Sequence, residues 1–137
     1  MINFERLFIE QRKLDDEIAR NHSITYKSTR ERRTLALLVE LGELANSTRC
    51  FKYWSNKGPE AKERVMDEFA DGLHFLISLG IDAEINVREF EQKENEKTLS
   101  ELFLKMYEDV VNFINERNEA NYVEAFETYL SIALKLD

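Results

Sequence analysis

The chain has 137 residues, 43% of them hydrophobic and 34% charged, with four glycines and one proline. That balance suits one domain with one core and weighs against extended disorder and against a turn-rich β fold. The net charge of −8 disfavours nucleic-acid binding, which needs clustered Lys and Arg, and the one dense basic stretch is STRERR at 28–33.

In chain order, residues 2–21 read as an amphipathic helix, with Phe4, Leu7, Phe8, Leu14 and Ile18 at helical spacing. Charges recur throughout this stretch, so it is no signal peptide. HSITYKST, residues 22–29, reads as a polar connection, with Thr29 as the cap of a second helix reaching about Ser47. The aromatic linker RCFKYWSNKG follows, and Gly58-Pro59 opens a third helix, with Pro59 near its first position. Gly80 is expected to end that helix. Residues 80–97 are compatible with a loop, a short helix or the start of the next helix. Thr98 or Ser100 caps a helix over about 99–117, and a last helix covers about 120–135. Four to five helices with short links predict an all-α helical bundle, one domain over 1–137. Cys50 is the only cysteine, so no internal disulfide forms, which suits a reducing cytoplasm. The apolar run GLHFLISLGI is too short to span a bilayer, and no membrane partner is expected.

The second and third helices carry the chemistry. LALLVELGELA, residues 35–45, is apolar at eight of eleven positions yet holds Glu40 and Glu43, three apart. Leu37, Leu38, Leu41, Leu44 and Ala45 form one broad face, while Leu35 and Val39 cover most of the other side. VMDEFADGLHFLISLG repeats the pattern with Glu68 and Asp71. Carboxylates on buried helices are costly unless they are paired or bind metal. Arg64 and Arg33 are candidate ion-pair partners, but two arginines face four acids. The alternative is a cluster of hard oxygen ligands for Mg2+, with Mn2+ as a substitute, leaving positions for substrate phosphates. Asp71 and His74 also stand three apart, as in the units of di-iron bundles. Only one such unit exists, and its acid is Asp. His74 reads instead as a packing or supporting residue.

ExxE, then about two dozen residues, then ExxD resembles the all-α nucleoside triphosphate pyrophosphatases, which include MazG-like enzymes and the dimeric dUTPases. The chain is more similar to the dUTPase branch. VELGELANSTRCFKYWS runs from the first acid pair into an aromatic-lysine-aromatic cluster, EFADGLHFLISLG carries the second pair, and EQRKLDDE supplies a Gln followed by Leu-Asp. The resemblance implies a dUTP diphosphatase acting on a deoxynucleoside triphosphate. It implies Mg2+ held by Glu40, Glu43, Glu68 and Asp71, with Glu43 as the catalytic residue that orients or deprotonates water. It implies that Gln11 and Asp15 face base and sugar, that Trp54 walls the base with Phe51 or Tyr53, and that Lys52 reaches a phosphate. A homodimer is expected as well. Relatives usually continue past the end of this sequence into a segment of Asn, Lys, Arg and Tyr that closes over the phosphates. The rival readings are a MazG-like pyrophosphatase for another nucleotide, and an inactive helical module that binds a nucleotide or a partner.

Overall fold

The computed structural model describes residues 1–136, so the last residue of the expected 1–137 domain lies outside them. Five helices account for nearly all regular structure: α1 (Glu5–His22), α2 (Tyr26–Thr48), α3 (Lys62–Asp82), α4 (Leu99–Asn115) and α5 (Glu119–Leu136). Two short strands join them, β1 (Ile2–Asn3) and β2 (Glu89–Phe90), paired antiparallel with Ile2 opposite Phe90. The all-α bundle predicted from periodicity is the observed fold, and β2 falls in the stretch the sequence left open.

Three boundaries differ from expectation. Thr25, and not Thr29, caps α2: its hydroxyl accepts from Ser28 N and Ser28 Oγ accepts from Thr25 N, a capping box. Thr29 lies inside the helix, its hydroxyl bonded back to Thr25 O. α3 starts at Lys62, three residues past Pro59. Gly80 does not stop α3, which runs to Asp82. The missing Cβ serves packing there, because a Cβ on Gly80 would collide with the Tyr122 ring. At α4 the expected Thr98 cap is present, completed by Glu101.

α2 and α3 form an antiparallel hairpin, and α1 lies along α3. α4 and α5 form a second antiparallel pair behind them. Leu37, Leu41 and Leu44 of α2 enter the core beside Leu76, Leu102, Met106 and Ile132. The opposite side of α2 is not covered by this chain: Leu35 is 62% and Val39 51% exposed. A stack of Phe90 on Phe126, centroids 3.8 Å apart, with Phe4 and Phe8 beside it, ties β2 and the start of α1 to α5.

Candidate active site on the hairpin of α2 and α3

The α1 stripe divides. Phe4 and Phe8 go into the core, whereas Leu14 and Ile18 are exposed to solvent and line a pocket of about 750 Å³. An apolar stripe at helical spacing therefore builds core at one end and pocket wall at the other. Further lining comes from Gln11 and Asp15 of α1, from Ile24 and Thr25 ahead of α2, from α2 (Tyr26, Arg33, Glu40) and from α3 (Asp71, His74, Phe75, Ser78).

A polar network lies at the back of this pocket. Gln11, only 7% exposed, donates from Nε2 to Asp15 Oδ1 at 3.0 Å, and its Oε1 meets His74 Nδ1 at 2.7 Å. An ionised Asp15 can only accept, so the amide nitrogen of Gln11 must face it. The Gln11 oxygen then faces His74, which requires the proton on Nδ1. Tyr26 and Ser78 hydroxyls both donate to Asp15 Oδ2, at 3.1 and 2.8 Å. Burial, then the adjacent Asp15 charge, raises the Tyr26 phenol above its ordinary value. Gln11 and Asp15 do share a helix face toward the pocket, and His74 supports them. Tyr26 and Ser78 were missed from sequence. Tyr26 lies in a stretch whose sequence reads as a connection, because the capping box of α2 uses Ser28 where Glu or Gln is the usual signal.

At the other end of the pocket Glu40, Glu68 and Asp71 offer carboxylate oxygens that all lie within 4.8 Å of one another. The Glu68 side chain is 12% exposed and pairs with the exposed Arg64 at 3.3 Å. Arg33, the other candidate partner, is instead committed to Asp82 at 2.7 Å. Glu40 Oε2 is buried with no hydrogen-bond partner among the described residues. Burial raises the Glu40 carboxyl above its ordinary value; the neighbouring charges of Asp71 and Glu68 add to it, as does a hydrogen-bonding contact between the Glu40 and Glu68 carboxyls, with the least contribution from Glu43. Glu43 itself is exposed, one helical turn toward the α2–α3 loop, and stands outside the close trio. The donor set is all oxygen, anionic and short of one partner, which fits a hard divalent cation.

Lys52 and Trp54 stand apart from the pocket lining. They occupy the loop joining α2 to α3, beyond the acids. Trp54 is 65% exposed and meets Tyr53 edge-on at 5.1 Å, while Lys52 Nζ lies 5.9 Å over the Phe51 ring. Among the described residues, no helix is long and apolar enough to cross a membrane.

Comparison with known proteins gives one family: the sequence model described as dUTPase matches residues 3–137. No curated protein and no solved structure matches the chain.

Proposed function

We infer the working of this site from one premise: the chain belongs to the dUTPase family, and its reaction is the hydrolysis of dUTP to dUMP and pyrophosphate. In our reading Glu40, Glu68 and Asp71 hold Mg2+, or Mn2+ in its place, and Glu43, outside the close trio, is not needed to hold it. The observation that carries this is the buried, unpartnered Oε2 of Glu40 amid two further carboxylates. An unpaired buried acceptor and crowded negative charge are both costly, and a divalent cation relieves both. When bound, the cation neutralises phosphate charge and lowers the pKa of a coordinated water.

The chain's own side chains supply the rest of the proposed mechanism. Gln11 and Asp15 face base and sugar, while Leu14, Ile18 and Phe75 keep water from the nucleoside. The triphosphate extends along the hairpin toward the acids. Glu43 orients the attacking water and takes its proton on a carboxylate oxygen. Lys52 meets a phosphate oxygen and Trp54 walls the base, which both reach only when the α2–α3 loop, or that of a second copy, closes on the nucleotide. Replacing Glu43 with Gln lowers kcat by about a hundredfold, while Mn2+ binding in calorimetry stays within a few-fold of the parent. Equal loss of both would make Glu43 a metal ligand and remove its role as base.

The partner reading is a homodimer. Leu35 and Val39 of α2 and Val111 and Ile114 of α4 are exposed apolar side chains. Leu35 and Ile114 flank a groove of about 330 Å³ with Leu38, Val110 and Phe113. A second copy would cover this face. Sedimentation at micromolar concentration should give a dimer that Leu35→Glu weakens, and a monomer for the parent protein would dismiss the assignment. A single free cysteine suits a cytoplasmic enzyme.

A further inference from the structure

Two tyrosines of α5, seven residues apart and fully buried, reach α3 in the same way. Tyr129 donates to Phe69 O at 2.6 Å, and Tyr122 donates to Leu76 O at 2.7 Å. Each hydroxyl occupies a notch made by a glycine, Gly72 for Tyr129 and Gly80 for Tyr122, where a Cβ would collide with it. α5 thus pins α3 at two points two turns apart.

The two pins differ in what lies beside them. Phe69 and Gly72 directly follow Glu68 and Asp71 in sequence, so Tyr129 grips the turn that carries both acids. Its ring also stacks on Phe69, centroids 4.3 Å apart and 9° from parallel. Besides burial, the charges that bear on the Tyr129 hydroxyl are those of Glu40, Asp71 and Glu68, whereas at Tyr122 it is that of Arg88. Stack, hydrogen bond and notch together fix the rotation and height of the 68–72 turn against α2. Carboxylates that share a cation tolerate errors of only about 0.5 Å in placement.

We propose that Tyr129, seated in the Gly72 notch and bonded to Phe69 O, is a positioning residue that holds Glu68 and Asp71 in register with Glu40 for metal binding. This rests on the reading of the trio as a metal site. Tyr122, the matching pin at the far end of α3, serves no such purpose and is the control. Both Tyr→Phe variants lose one buried hydroxyl contact of the same kind, so a merely structural role predicts equal effects.

The test is Mn2+ binding to the nucleotide-free protein, followed by the electron paramagnetic resonance of free Mn2+, with thermal melts of the metal-free proteins alongside. Tyr129→Phe should weaken Mn2+ binding by about tenfold, and Tyr122→Phe should leave it within twofold, with similar losses in Tm. Equal Mn2+ binding by Tyr129→Phe and the parent would overturn the positioning role and leave the metal site standing. Equal weakening by both variants would also overturn it, since the effect would then follow stability alone. If the parent binds no Mn2+, the metal reading itself falls and takes this inference with it.

Discussion

Replacing Glu40 with Gln lowers kcat by about a thousandfold, or about 4 kcal/mol of transition-state stabilisation, and at the same time raises the Tm of the metal-free protein. The two effects have one cause. Glu40 is the member of the trio whose Oε2 is buried without a partner, and its carboxyl is raised by burial and by Asp71 and Glu68. Ionised, it is a liability to the empty fold and an asset to a cation. Gln keeps the shape, removes the charge and can donate to a neighbouring carboxylate.

The same group sets a pH dependence. The native Glu40 pKa lies above the 4.5 of an unperturbed Glu, so the native state holds this proton more tightly than the unfolded chain does. Its contribution to stability is complete below the unfolded value and is lost as pH rises through the native value. In EDTA, the parent should therefore lose Tm relative to Glu40→Gln as pH rises across that window. Saturating Mg2+ should reverse the order at neutral pH. A variant that melts lower than the parent in EDTA at neutral pH would mean that Glu40 is already satisfied without metal.

The second large effect concerns Asp82, at the end of α3. Its side chain is 2% exposed and accepts from Arg30 Nε and Nη2 at 2.9 and 2.7 Å and from Arg33 Nη2 at 2.7 Å, with Arg117 at 3.5 Å. Burial alone would push this carboxyl up. The Arg30 and Arg33 hydrogen bonds outweigh it, and the net shift is downward. Asp82→Asn places an amide donor among guanidinium donors and leaves the arginines in surplus. Breaking such a pair costs about 3 kcal/mol, a fall of roughly 10 °C in Tm for a domain of this size. Because the native pKa is depressed, the stabilisation is present above the ordinary carboxylate value and disappears as pH falls through the native one. The loss should also reach the pocket lined by Asp15 and Ser78. Arg33 bonds Ser78 Oγ at 3.3 Å, and Ser78 bonds Asp15, so KM should rise along with the loss of stability. Thermal melts and steady-state kinetics on one preparation measure both, and an unchanged Tm would show that the arginines find other partners.

Much of this was legible in the sequence because the physics is local. Acids three apart on apolar helices point to four carboxylates, of which Glu40, Glu68 and Asp71 come together while Glu43 stands outside, and helical spacing points to the bundle. The residues hidden from sequence are those whose meaning depends on a distant partner. Gly80 looked like a stop signal, because nothing local announces that Tyr122, 42 residues on, needs its space. Leu14 and Ile18 carried a core pattern and became a pocket wall, since periodicity reports which face is apolar and not what covers it. Leu35 and Val39 made α2 look buried on all sides, yet the single chain leaves them exposed. Arg33 looked like a partner for Glu40, but Asp82 takes it, a pairing 49 residues apart that spacing cannot reveal.

The central claim is that the acids of α2 and α3 turn a bound cation into dUTP hydrolysis. Its most direct test is pyrophosphate release from dUTP, dCTP, dTTP and dATP, each with Mg2+ and with EDTA, using Glu40→Gln as the control. Cleavage of dUTP in preference to the other three is expected, only with Mg2+, and is lost in the variant. Cleavage of dUTP that survives EDTA or the Glu40→Gln change would contradict it.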